Sequence, residues 1–159
     1  MDSNVRKRTL RLFSNGVYIL TSRSGDRFGA ATVTWVSQAS FKPPLLMAAV
    51  RKDSSAYRCM EESQVAALHI VGSEQSGMAQ KFFAPTSSGA GLINGEPFID
   101  GETSAPILSN AVAYVECQVQ QIIQDGGDHD IVVMKVVNAA CKEQLVPLTI
   151  AQSPWEYGG

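Results

Sequence analysis

The chain has 159 residues, of which 45% are hydrophobic and 18% charged. A chain of this length buries roughly 70% of the surface its unfolded form exposes, so it can carry its own core, and the balance excludes intrinsic disorder. A formal charge of −2 argues against a general polyanion binder.

The first residues hold the one basic cluster, Arg6, Lys7, Arg8 and Arg11, among spaced apolar positions Val5, Leu10, Leu12 and Phe13. The spacing predicts a short helix with the cations on its wet face. Interleaved aromatics and a nucleic-acid motif are missing, so no nucleic-acid partner is expected. No uninterrupted apolar stretch follows the basic start, and no run approaches the ~18 residues of a membrane span. Cys59, Cys117 and Cys141 are odd in number and widely spaced, with no CxxC pair. Neither a disulfide framework nor a metal site is suggested, and a reducing, cytoplasmic setting is expected with all three thiols buried.

Gly16 to Thr21 reads as the first strand, with a turn at Ser22 to Asp26. Phe28 to Ser40 is one long segment of β-formers and hydroxylated residues. Two prolines, Pro43 and Pro44, force an extended approach to a buried strand at Leu45 to Val50. Ser54 or Ser55 caps a short helix to about Glu62, and Val65 to Val71 returns to strand. A second helix is expected at Glu74 to Phe83, then a long surface loop at Ala84 to Ala105. Ala111 to Gln124 and Asp130 to Ala140 are strand-like runs joined by Asp125-Gly126-Gly127-Asp128, a strong hairpin signal. About six strands, short helices and hairpin spacing favour an antiparallel barrel in a single domain over residues 1–159. No Gly-rich loop sits between a strand and a helix, which disfavours a Rossmann domain.

Two stretches carry chemistry. Ala31 to Pro44 (ATVTWVSQASFKPP) offers Thr32, Thr34, Ser37, Gln38 and Ser40 within one extended segment. Such an edge can pair with the rim of a heteroaromatic ligand, and it also fits a hydroxyl-decorated solvent face. Arg51-Lys52-Asp53-Ser54-Ser55 places two cations and two hydroxyls at a helix start, where free amides and the dipole favour phosphate. An ordinary capped helix with solvated charges gives the same pattern, and Asp53 counts against an anion. Leu45 to Val50 has about the length needed to separate a ring site from a phosphate site.

In this order, and followed by Gly127-Asp128-His129-Asp130, the stretches resemble the flavin reductase-like, FMN-binding split-barrel family. Its members show a hydroxyl-rich strand ending in Ser-x-x-Pro-Pro, a basic and hydroxyl phosphate segment, and a Gly-Asp-His turn. The similarity runs from Gly16 to Gly159. It implies a mainly β, six-stranded antiparallel Greek-key split barrel with short flanking helices, pairing into a homodimer.

It further implies that Thr32, Val33, Thr34, Trp35, Gln38, Ala39 and Ser40 line a flavin ring while Arg51, Lys52, Ser54 and Ser55 hold its phosphate. Lys81 and Phe82 stand beside the flavin, and Trp155 and Tyr157 cover the site or an interface. Many members have Ser-Ser-Phe where this chain has Thr34-Trp35-Val36, which resembles the flavoredoxin-like and flavodiiron branch. His129 is expected to position nicotinamide, as the one side chain placed at the catalytic face. His69, within an apolar run, is expected in the core or at an interface. The implied activity is NAD(P)H-dependent reduction of FMN, or FAD, with NADH or NADPH as co-substrate and electrons passing to an oxygenase or acceptor protein. A flavoredoxin-like electron carrier and a non-catalytic flavin-binding module are the alternatives.

Overall fold

A computed structural model describes residues 1–159. Helix α1 (Ser3–Leu10) starts at Asp2, whose carboxylate accepts from the amides of Asn4 and Val5, a regular N-cap. The expected basic cluster lies here, yet α1 buries no residue at all. Val5 and Leu10 are exposed with the cations, so the whole helix is wet and not one face of it.

Strands β1 (Tyr18–Ser24) and β2 (Arg27–Val33) form the first hairpin. Gly25 makes its turn at φ +59°, a left-handed conformation that glycine adopts at little cost. The long segment read as one strand is two: β3 (Val36–Ser40) begins after a break at Thr34 and Trp35. Next come β4 (Leu45–Arg51), helix α2 (Ser55–Ser63), β5 (Val65–Ile70) and helix α3 (Ser76–Lys81), the last shorter at both ends than expected. The last long hairpin pairs β10 (Ala113–Ile123) with β11 (His129–Cys141), as its turn signal predicts.

These strands make one seven-stranded antiparallel sheet in the order β2-β1-β5-β10-β11-β4-β3. The chain crosses from one edge, β2, to the other, β3, in two residues, so the sheet curls on itself into a split barrel. The Ala49 amide donates to the Trp35 carbonyl at 2.9 Å, which extends the β3–β4 ladder up to the break. The strand count exceeds the expected six because of that break, and the fold class is the expected one.

The segment read as a long loop, Ala84 to Ala105, is ordered into β6 (Ser88–Gly89), β7 (Leu92–Ile93) and β8 (Glu96–Asp100). With β9 (Pro106–Leu108) these form a small second sheet. Strands of two residues leave no period-2 pattern to read. Polar anchors hold the sheet down. Buried Glu96 accepts from Lys81 Nζ at 3.0 Å and from Asn110 Nδ2 at 2.9 Å. Buried Glu116 on β10 accepts from the Thr103 amide and hydroxyl and from Asn138 Nδ2.

One apolar cluster fills the barrel with Leu20, Met60, Leu68, Val132 and Met134, and another packs Ile19, Val71, Phe82, Ile93 and Leu108 on its outside. The expectation of three buried thiols holds for Cys59 and Cys117 but not for Cys141, which is exposed at the end of β11.

His69 is fully buried between the two sheets, with Nδ1 2.9 Å from the Ile19 carbonyl and Nε2 accepting from the Leu108 amide at 3.0 Å. It is a core residue, neutral in the fold. Burial pushes its pKa from 6.5 down to about 4. Between these values the unfolded chain binds the proton and the folded chain does not, so folding stability falls as pH drops through that window. The expected loss is about 3 kcal/mol by pH 4. Urea unfolding at pH 7 and pH 5 should show it, and His69→Gln should flatten the pH slope between them.

Candidate functional site

The site begins at the β2–β3 break. Val33, Thr34 and Trp35 sit where the chain leaves one sheet edge for the other, and β4 with the start of α2 runs alongside. Gly29 on β2 permits the close approach of strand and helix: a Cβ there would stand 2.6 Å from Ala56 Cα. Any larger residue would push the first turn of α2 away from β2.

Between these elements lies a cleft of about 930 Å³, within the range of small-ligand sites. One wall is Ala31, Thr32 and Thr34. The end of β4 and the start of α2 add Arg51, Asp53, Ser54, Ser55 and Arg58, and Phe82, Phe83 and Thr86 complete the lining. The chain's last residues, Trp155, Glu156 and Tyr157, run across it. A smaller recess of about 60 Å³ adjoins it, lined in part by Val33, Trp35, His129 and Tyr157.

The aromatic side chains of this region contact one another. The Trp35 ring centroid lies 4.7 Å from that of His129 and 5.5 Å from that of Tyr157, and Trp155 meets Phe83 edge-on at 4.8 Å. His129 Nδ1 bonds Asp128 Oδ1 at 2.7 Å, which leaves Nε2 as the nitrogen without a protein partner. The hydrogen bond and charge of His129 hold the Asp128 carboxyl below its ordinary range.

The hydroxyls differ in commitment. Thr32 Oγ1 donates to the Ala79 carbonyl at 2.6 Å, fastening β2 to α3. Ser54 Oγ caps α2 by accepting from the Tyr57 amide at 3.1 Å and donates to the Arg51 carbonyl. Ser55 Oγ lies 2.5 Å from Thr86 Oγ1, and Thr86 in turn bonds the Ala30 backbone. Thr34 is 7% exposed, and its Oγ1 is buried with no partner. A buried hydroxyl without a partner is costly, and this one stands at the wall of the cleft. Ser55 and Ala56 open α2, and their amides have no intrahelical acceptor.

The structure gathers most of the predicted residues but not all of them. Thr32, Val33, Thr34, Trp35, Arg51, Ser54, Ser55, Phe82, His129 and Trp155 line the cleft or its recess. Gln38, Ala39 and Ser40 do not. They follow the break on β3, the free edge of the sheet, and Gln38 and Ala39 are exposed. Lys52 lies off the lining and pairs at 3.4 Å with buried Asp130, whose other oxygen accepts from Tyr57 at 2.6 Å. Lys81 pairs with Glu96 instead of facing the cleft. Arg58 and Thr86 are lining residues that sequence reasoning did not select, and Phe83, beside Phe82 in the segment that the resemblance places by the flavin, lines the cleft too. Arg58 had a usable signal, since it stands one helical turn after Ser54 and Ser55 and so faces the same way.

The sequence profile of the flavin reductase like domain matches residues 10–155. The chain belongs to the flavin reductase-like family. It is 34% identical over 139 residues to diflavin flavoprotein A 1 of Synechocystis, covering 87% of this chain and 24% of that protein. It therefore spans about a quarter of the length of that diflavin relative. It is 26% identical to the FMN reductase (NADH) SmoA of Agrobacterium fabrum, covering 89% of this chain and 79% of that one. Among solved structures, a flavin reductase domain protein from an Arthrobacter species superposes with a TM-score of 0.81 at 21% identity, covering 93% and 90% of the two chains.

The cleft fits the flavin that the family's name implies. An unpartnered hydroxyl stands at the wall, aromatic rings lie beside it, and a helix start with cations belongs to the same lining. No helix of this flavin reductase-like chain is long and apolar enough to cross a membrane.

Proposed function

We propose that the chain is an NADH-dependent FMN reductase domain, acting as a cytoplasmic homodimer that passes electrons to a separate oxygenase or acceptor protein. The observation that carries this reading is the buried, unpartnered Thr34 hydroxyl in a cleft that the start of α2 also lines. A ring edge at Thr34 and a phosphate at Ser54, Ser55 and Arg58 would satisfy both at once. Likeness to SmoA, named as an NADH-using FMN reductase, supports the choice of substrates. Exposed Phe41 and Met47 on the β3–β4 edge offer apolar surface for a second copy.

Flavin, when bound, supplies the hydride-accepting chemistry. The protein's part is to bind, align and exclude water. Thr34 and its neighbouring backbone would hold the ring edge. Trp35, His129 and Tyr157 provide flat surfaces that a nicotinamide ring can stack against, with His129 fixed by Asp128 so that Nε2 can donate or accept toward a ligand. Trp155 and Phe83 keep solvent from the opposite rim. None of these steps needs a side chain to move a proton.

The test is to add FMN to the purified protein and follow the flavin absorbance band anaerobically with NADH and, separately, NADPH. Rapid bleaching with NADH is expected. Tight FMN binding with no bleaching by either nucleotide would make the chain an electron carrier or binding module, and failure to bind any flavin would refute the assignment.

A further inference from the structure

The cations expected to hold a phosphate are mostly spoken for. Arg51 presents Nε to Asp53 Oδ1 at 3.0 Å and Nη2 to Asp53 Oδ2 at 2.8 Å, a two-pronged pair. That is one of the two edges through which a guanidinium can clasp a phosphate with paired bonds. Both residues line the cleft, with side chains 62% and 69% exposed. Lys52 is turned to Asp130. Arg58 is the one cation lining the cleft with no carboxylate within ion-pair distance.

Asp53 is an odd neighbour for an anion. It does not cap α2, because Ser54 does so, and Arg51 is its only ion-pair partner. It stands directly before the two serines at the phosphate end, where a negative charge opposes the helix dipole's attraction for an anion ligand.

Resting on the reading of this cleft as a flavin site, we propose that Asp53 is a specificity-determining residue. By occupying one of the two Arg51 forks and adding its own negative charge, it weakens the grip on a flavin's phosphate. The phosphorylated flavin is thereby kept exchangeable, and its advantage over unphosphorylated riboflavin is reduced. Arg58 is the cation that remains to meet the phosphate.

The test titrates FMN and riboflavin, followed by flavin fluorescence, into the wild-type protein and into Asp53→Asn and Arg58→Gln. Asp53→Asn keeps the shape and removes the charge. It is expected to tighten FMN binding roughly five- to tenfold and leave riboflavin within about twofold, the size of one unit charge near a partly solvated phosphate. The gain should shrink as salt is raised. Arg58→Gln should loosen FMN by a similar factor and spare riboflavin.

If Asp53→Asn leaves FMN binding unchanged or weaker, Asp53 aligns Arg51 for the phosphate instead of competing with it, and the proposal fails while the flavin site stands. Equal tightening of both flavins would overturn it too, since the effect would not act through the phosphate. If the wild-type protein binds neither flavin, the reading of the cleft itself is lost.

Discussion

Replacing Glu116 with alanine should cost about 2–4 kcal/mol of folding stability, lowering the thermal midpoint by roughly 5–15 °C. The carboxylate is 1% exposed and is the shared acceptor for the Thr103 amide, the Thr103 hydroxyl and Asn138. Burial alone would raise its pKa. The donors from Thr103, Asn138 and the Glu102 amide outweigh burial and hold it below the ordinary value. Removing it strands those donors and leaves a void beneath the second sheet. Gly101 packs against the same carboxylate so closely that a side chain there would collide with it. Glu116→Gln should fall between wild type and alanine, because its amide would face the Asn138 amide donor while Asn138 Oδ1 is already taken by the Ala139 amide. Thermal melts of the three proteins, followed by circular dichroism, check the order. Equal midpoints for wild type and alanine would show that the second sheet does not depend on this acceptor.

The second large effect concerns His129 and rests on the proposed reductase activity. His129→Ala is expected to lower kcat/KM for NADH roughly 10–100-fold while FMN affinity changes by less than about threefold. The ring lies against Asp128 and Trp35 in the small recess and does not line the large cleft, although Arg51 and Ser54 line both. Its loss should misplace the nicotinamide without releasing the flavin. Asp128→Asn, which keeps a hydrogen-bond acceptor for Nδ1, should show a smaller loss in the same parameter. Stopped-flow reduction across an NADH series separates the two constants. A drop in FMN affinity as large as the drop in kcat/KM would reassign His129 to holding the flavin.

Sequence patterns read well where one physical signal acted alone. The Asp125–Asp128 turn, the β4 run behind two prolines and the serine cap of α2 lie where spacing and propensity put them. They failed where the deciding contact was remote in sequence. Nothing local to Phe28–Ser40 says that the chain changes sheet edge at Thr34, because each half is a good strand and the break is set by closure of the barrel. That same break separates Gln38, Ala39 and Ser40 from the cleft.

The phosphate segment shows a related limit. Arg51 and Lys52 look alike in the sequence, but Lys52 belongs to Asp130, 78 positions along by number and adjacent in space. A carboxylate in the inward row of β11, beside Val132 and Met134, cannot be anticipated from alternation, which favours an apolar residue there.

The C-terminal residues fold back onto α1 and the residue after it. Arg11, just past α1, bonds Glu156 at 2.8 Å and the Gly158 carbonyl at 2.9 Å, while Trp155 to Tyr157 lie across the cleft. Any polypeptide joined after the last residue would therefore depart from near the rim of the cleft. A redox module carried on a short tether there would sit at millimolar effective concentration to the cleft, reached by fusion alone and without a dedicated docking surface.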